Sequence, residues 1–346
     1  VPFPEFTTGR KKILFFSRGR GRGHARPDVE IVRALAAARP DVETRLVSYG
    51  TGAETIVEAG LPVIDIEMAD MGPTAEISVA AGRLIRWLDP DLVVSHEEFA
   101  AAPAAAVFEK ACVFITDFFT DPELYSMHAL HFADEILFVG RPGRFEEPEW
   151  VRGKVRYLGP LAARPAYGPS GRRRAREELG IDPAAFVLGV FPGSWTDYQA
   201  EFSTAVLRAF DALDMAPKAL VWIAGPTFDD VAARTAGRAA CLVFRAYSEM
   251  CRAMSACDVG ITRANRVSTL ELVNCGVPAV AVTWGLNPAD DRAIGDTPGV
   301  TLVRGEDLPD GRLAGLVRTA EPPDSGIRFA TFADCAAAIS RRLPPG

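Results

Sequence analysis

The feature that most constrains this 346-residue chain is the form of its apolar segments. They are short continuous runs rather than alternating ones: Lys12–Ser17 (KILFFS), Val42–Ser48, Asp91–Ser95 (DLVVS), Ala111–Thr116 (ACVFIT) and Glu135–Val139 (EILFV). A strand that is apolar on both faces must be covered on both faces, which is the condition of a parallel sheet between layers of helices. Helical patterns separate the runs, as at Pro27–Ala38, where proline falls in the first turn. A second series follows at Phe186–Phe191, Ala219–Ala224, Leu242–Phe244, Val259–Ile261, Ala279–Val282 and Val300–Val303. Alternation of this kind predicts doubly wound α/β architecture, and two series on a chain of this length predict two such domains.

Residues 141–176 interrupt the alternation with proline, glycine and arginine, and read as a linker with the boundary near Gly159-Pro160. The expected domains are 1–160 and 161–326, followed by a terminal segment, 327–346, with an amphipathic helix over Phe329–Arg341. The run Arg172–Arg176 leads into Glu177-Glu178, so it reads as a solvated helix start with Arg173–Glu177 and Arg174–Glu178 pairs rather than as a basic patch.

Composition narrows the function classes. A net charge of −7 argues against nucleic acid as a partner. None of the six cysteines forms a C-x-x-C pair, which argues against a zinc knuckle or a secreted disulfide framework. The N-terminal residues have no apolar targeting core and no run is long enough to span a bilayer, so the expected location is cytoplasmic, with peripheral membrane contact left open. The histidines lack metal-ligand spacing, and Asp89-Pro90-Asp91 has a loop-like setting, so no metal site is expected.

Two strand-to-helix junctions carry chemistry. The first is Arg18-Gly19-Arg20-Gly21-Arg22-Gly23-His24-Ala25-Arg26-Pro27. Its glycines admit a ligand closely. Their spacing is not G-x-G-x-x-G, and the second strand ends in Ser48-Tyr49-Gly50 without an acid, so dinucleotide binding is rejected. Arg20 and Arg22 offer planar forks that suit an anionic acceptor or a diphosphate. His24 sits where a helix dipole favours a neutral imidazole, which leaves a general base available. Two further strand ends add Ser95-His96-Glu97-Glu98 and Asp117, which serve as rim groups of a binding cleft or as ordinary loop and cap residues. The second junction is the stretch Asp258–Pro278: a buried strand, a polar loop, then a helix from about Arg266 carrying Glu271 and stopping at Gly276-Val277-Pro278. Such a junction favours a phosphate at the helix N-terminus, with a carboxylate for ribose hydroxyls; the plain alternative is an ordinary β-loop-α unit.

The second junction resembles the donor-nucleotide motif of GT-B glycosyltransferases, nearest the bacterial peptidoglycan N-acetylglucosaminyltransferase and plant galactolipid synthase group. That motif runs Ala-Asp, an apolar strand, Ser-Arg-x-Gly-x-x-Thr, Glu and Gly-Leu-Pro. Here it is Cys257-Asp258, Thr262-Arg263-Ala264-Asn265-Arg266-Val267-Ser268, Glu271 and Gly276-Val277-Pro278, without a gap. Asn265 replaces the family's glycine, where it tolerates left-handed backbone but brings a side chain toward the phosphates. Gly21–Pro27 likewise resembles the family's acceptor-side G-x-G-H-x-x-P loop.

The resemblance implies two Rossmann-like domains facing a central cleft, with the last helix returning to the first domain. It implies an inverting transfer from a nucleotide diphosphate sugar, first a UDP-sugar, to an acceptor hydroxyl, with no cofactor and no bound metal. His24 would be the base and Asp117 its orienter; Arg20, Gly21, Arg22, Gly23, His96 and Glu97 would face the acceptor or a phosphate. Gly193, Ser194, Arg263 and Ser268 would surround the diphosphate, and Glu271 would take the ribose. Tyr247 and Met250 fall on the family's apolar-x-x-Met positions, and Asp290 and Asp291 would accept from sugar hydroxyls. The acceptor, a small molecule or a lipid-linked one, is not named by the sequence. The apolar residues Met68, Met71 and Ile77 would either contact it or pack. A nucleotide-sugar hydrolase or 2-epimerase, and a non-catalytic sugar-nucleotide-binding protein, are the alternatives.

Overall fold

The computed structural model describes residues 6–20, 22–68, 74–119, 125–162, 165, 167, 171–193, 197–238, 240–247, 249–308, 311–323 and 326–344. The chain divides into two compact units, Val1–Leu161 with Phe329–Gly346, and Ala162–Arg328.

The first unit holds a seven-stranded sheet: β1 (Lys11–Ser17), β2 (Val42–Ser48), β3 (Val63–Asp65), β4 (Leu92–His96), β5 (Cys112–Thr116), β6 (Glu135–Phe138) and β7 (Val155–Tyr157). The order is β3-β2-β1-β4-β5-β6-β7, with every pair parallel. The central strands are buried along nearly their whole length, as their unbroken apolar runs require. β3 and β7 are edge strands of three residues, too short to show as runs, and β7 lies within the stretch read as linker. One layer of the core joins Val29, Ile31 and Leu35 of the Ala25–Ala38 helix to Cys335, Ala336 and Ile339 of the terminal Phe332–Ser340 helix. That terminal helix starts with a capping box, in which Thr331 and Asp334 bond each other's backbone N–H groups. Buried Glu135 pairs with both Arg156 and Arg342, which ties the terminal segment to the sheet.

The second unit holds a six-stranded sheet: β8 (Phe186–Phe191), β9 (Lys218–Ile223), β10 (Cys241–Phe244), β11 (Val259–Thr262), β12 (Ala279–Thr283) and β13 (Val300–Arg304). Its order is β10-β9-β8-β11-β12-β13, again all parallel. Asp258 clamps this unit. Its Oδ2 accepts from Arg176 Nη2 at 2.6 Å and from Val187 N at 2.7 Å, and Arg172 approaches Oδ1 at 3.2 Å. The arginine run is therefore not uniformly solvated. Arg173 and Arg174 make the expected pairs with Glu177 and Glu178, whereas Arg176 is buried and also caps the Ala256 and Pro183 carbonyls.

In each sheet the strand order reverses once, between β1 and β4 and between β8 and β11. Open α/β sheets bind ligands beyond the carboxyl ends of the strands at that point.

Candidate active site

In the first unit, the switch point lies between the loop after β1 and the end of β4. Gly19 is required there by packing: a Cβ would stand 2.4 Å from the Tyr49 carbonyl oxygen. Gly23 is open, with nothing within 4 Å of the place a Cβ would take, while Gly21 lies outside the described residues. Arg20 is exposed, and Arg22 turns outward to a bidentate pair with Glu58 at 2.6 and 3.0 Å.

His24 immediately precedes the Ala25–Ala38 helix, and its carbonyl accepts from Asp28 N in the first turn. Its Nε2 meets Glu97 Oε2 at 2.8 Å. Glu97 follows β4 with φ 55°, a left-handed conformation costing a side-chain-bearing residue about 1 kcal/mol. That turn carries its carboxylate inward, where it is 2% exposed. Glu97 Oε1 accepts from Thr116 Oγ1 at 3.0 Å and Asp117 N at 3.4 Å, and Arg18 Nη1 stands 3.6 Å from Oε2. The carboxylate expected to orient His24 was that of Asp117. Instead Glu97 meets the ring, and Asp117 supports Glu97 through its backbone N–H. The reason is the φ of Glu97, which no composition or spacing rule reveals.

His96 is not a free rim group either. Its Nδ1 meets Asp28 Oδ1 at 2.6 Å, with both residues buried. Burial alone lowers a histidine pKa, but the Asp28 carboxylate, with Glu97 and Asp117, outweighs it and raises that of His96. For His24 burial dominates and lowers the pKa, against the pull of Glu97 and with help from His96 and Arg18. Glu98 is raised by burial and accepts from Tyr49 OH at 2.9 Å. Met68 and Ile77 pack in the cluster around Tyr49, and Met71 lies outside the described residues.

In the second unit the strand end, loop and helix form as expected: β11, then the Arg266–Asn274 helix. The left-handed residue of the loop is Ala264 (φ 50°), not Asn265. Asn265 is extended and caps the helix, its Oδ1 accepting from Ser268 N at 2.9 Å while its Nδ2 donates to Phe191 O at 3.1 Å. A Cβ on Gly193, whose φ is 78°, would lie 3.3 Å from that Nδ2. The Ser268 N–H is thus already bonded within the loop. Glu271 is half-buried one turn further along the helix, and Ser194 lies outside the described residues.

Arg263 is buried, its guanidinium 5.6 Å from the Trp284 ring centroid and 5.9 Å from that of Phe202; burial lowers its pKa. It shares a cavity of about 30 Å³ with Thr283, Trp284, Asn287, Asp290 and Asp291. Thr283 Oγ1 donates to Asp291 at 2.9 Å, and Arg266 lies 3.5 Å from Asp290. Arg263, Asp290 and Asp291 are therefore neighbours, and Trp284, which the sequence did not flag, forms their wall. Tyr247 and Met250 belong to a packed cluster with Phe244 and Met254. Asp89 pairs with Lys110, and Asp91 accepts from Lys12 N. Among the described residues no group of three acids, histidines or cysteines is placed to hold a metal ion, and no helix is long and apolar enough to cross a membrane.

No family model matches the chain. It is 25% identical over 300 residues to the UDP-N-acetylglucosamine–N-acetylmuramyl-(pentapeptide) pyrophosphoryl-undecaprenol N-acetylglucosamine transferase of Desulforudis audaxviator, a match covering 79% of this chain and 78% of that one. Its structure is similar to the glycotransferase of kitacinnamycin, with a TM-score of 0.70 at 18% identity over 97% of this chain and 100% of that one. It is also similar to MurG of Acinetobacter baumannii, with a TM-score of 0.69 at 14% identity over 96% of this chain and 99% of that one. The two doubly wound units have the GT-B fold, and the sequence similarity to the peptidoglycan N-acetylglucosaminyltransferase group covers 79% of the chain.

Proposed function

We propose that this protein is an inverting glycosyltransferase that moves a sugar from a nucleotide diphosphate sugar, first a UDP-sugar, to an acceptor hydroxyl in the cytoplasm. The observation that carries the reading is the buried Glu97 carboxylate on His24 at the switch point of the first sheet. With Glu97 accepting from Nε2–H, the neutral ring has its lone pair on Nδ1, a buried atom with no hydrogen-bond partner among the described residues, which an acceptor hydroxyl would have to reach. In this reading Nδ1 takes the acceptor proton while the hydroxyl oxygen attacks the anomeric carbon, and Glu97 stabilises the imidazolium that results. The nucleoside diphosphate leaves with the electron pair of the broken glycosidic bond. Its charge is received in the second unit by Gly193, Ser194, Arg263 and the Ser268 hydroxyl, with Glu271 on the ribose and Asp290 and Asp291 toward the sugar. Arginine and helix-terminus donors of this kind stabilise a departing diphosphate without a resident metal.

The name of the 25% relative gives UDP-N-acetylglucosamine and an undecaprenol-linked acceptor, which supports a UDP-sugar donor and a lipid-linked acceptor here, with a small-molecule acceptor as the alternative. The test is radiolabelled UDP-sugars incubated with purified protein and a pooled extract of cellular small molecules and lipids. Labelled acceptor and released UDP are expected, with His24→Ala reducing the rate about 10²- to 10⁴-fold. Unchanged transfer by His24→Ala refutes the assigned base. Sugar release or isomerisation without acceptor labelling replaces transfer with hydrolysis or 2-epimerisation, and binding without turnover replaces it with a non-catalytic role.

A further inference from the structure

The first unit carries a second histidine–carboxylate pair that the proposed reaction does not use. The Ala25–Ala38 helix and its leading residue supply His24 and Asp28, one turn apart; the end of β4 supplies His96 and Glu97, which are consecutive. The pairs cross: His24 meets Glu97 at 2.8 Å and His96 meets Asp28 at 2.6 Å. The two imidazoles stand edge to face, with centroids 4.9 Å apart and planes at 77°. Asp28 is fully buried, its Oδ2 has no hydrogen-bond partner among the described residues, and the His96 ring stands at its Oδ1; a buried carboxylate so placed favours the protonated imidazole.

We propose that His96, held by Asp28, is a positioning residue for His24: it fixes the His24 ring with Nε2 on Glu97 and keeps a positive charge beside it. This rests on the reading of His24 as the base. A carboxylate bonded to an imidazole draws a proton onto it, and a base that is already protonated cannot act. Glu97 alone would have that effect. His96 and Arg18 oppose it, alongside burial. The groups facing this pair of rings are Arg18 from the loop after β1, Glu97 from the end of β4, Asp117 from the end of β5 and Asp28 from the helix. Cys335 of the terminal helix faces Asp28, and burial holds its thiol neutral.

The experiment is ¹³C- and ¹⁵N-detected NMR titration of the imidazoles. The chain has four histidines, so His→Gln variants assign them. Wild-type His24 is expected as the Nε2–H tautomer with a midpoint below the ordinary 6.5. His96→Gln should raise that midpoint by about one pH unit, the scale set by a charge some 5 Å away in a medium of intermediate dielectric. Asp28→Asn preserves shape and packing but removes the group that keeps His96 charged, so a smaller rise is expected. The acid limb of kcat/KM should move with the NMR midpoint while the donor KM stays constant. A rise in His96→Gln without one in Asp28→Asn assigns His96 to packing alone and overturns the proposal, as does no rise in either. The NMR midpoints do not depend on catalysis, so a fully active His24→Ala would remove the base reading and leave the coupling separately measured.

Discussion

Glu97→Gln isolates the interaction on which the proposed chemistry depends, because the structure dictates how the amide must sit. Thr116 Oγ1 and Asp117 N both donate to Oε1, at 3.0 and 3.4 Å. The amide oxygen therefore takes the Oε1 position and the NH₂ takes that of Oε2, 2.8 Å from His24 Nε2. Two N–H donors cannot share that distance, so the His24 proton moves to Nδ1. Nε2 then accepts from the amide, and no lone pair is left to take the acceptor proton. The loss should approach the whole general-base contribution, about 10²- to 10⁴-fold in kcat, or roughly 3–5 kcal/mol of barrier. Stability should suffer little by comparison. Arg18 loses its anion at 3.6 Å, but its side chain is 29% exposed, so the cost after solvent screening is about 1 kcal/mol or less. The assay is UDP release at saturating donor, with circular dichroism to verify the fold and ¹⁵N NMR to read the His24 tautomer. A variant within about threefold of wild type, or one whose His24 keeps the Nε2–H form, would refute the reasoning.

Three other expectations follow from the second unit. Asp258→Ala strands buried Arg176 and leaves Val187 N without its acceptor, so the unit should lose about 3–4 kcal/mol; a melting temperature lowered by less than about 2 °C would show the clamp to be dispensable. Asn265→Gly frees the Ser268 N–H and the space beside Gly193, and UDP affinity by calorimetry should rise by about tenfold, the worth of one charge-assisted hydrogen bond; an unchanged or weaker affinity means that the diphosphate does not reach this helix terminus. Glu271→Ala should abolish the thermal stabilisation of the protein by UDP, and a shift equal to that of the wild type would remove Glu271 from the ribose site.

The fold was legible where burial leaves a local mark. Central strands are apolar on both faces, so they appear as unbroken runs; β3 and β7 are three-residue edge strands and leave no run to read. The loop after β11 was legible as strand, loop and helix, yet the division of labour within it was not. The left-handed position fell to Ala264, and Asn265 became a cap, because the cap hydrogen bond to Ser268 and the bond to Phe191 O together set its backbone. Tyr247 and Met250 matched a motif and proved to be part of a packed cluster, as apolar residues beside a short helix usually are.

By itself the sequence determined two doubly wound domains, two glycine- or polar-rich strand–helix junctions, and His24 as a residue of interest, because periodicity, glycine spacing and helix termini are local properties of a chain. What it left open was partnership. His24 and Glu97 are 73 residues apart, and His96 and Asp28 are 68 apart. Which carboxylate meets which histidine depends on β1 and β4 lying side by side and on Glu97 turning back at the end of its strand. Those are consequences of tertiary packing, since the protonation of an imidazole is set by the charges and burial around it and not by its neighbours in sequence.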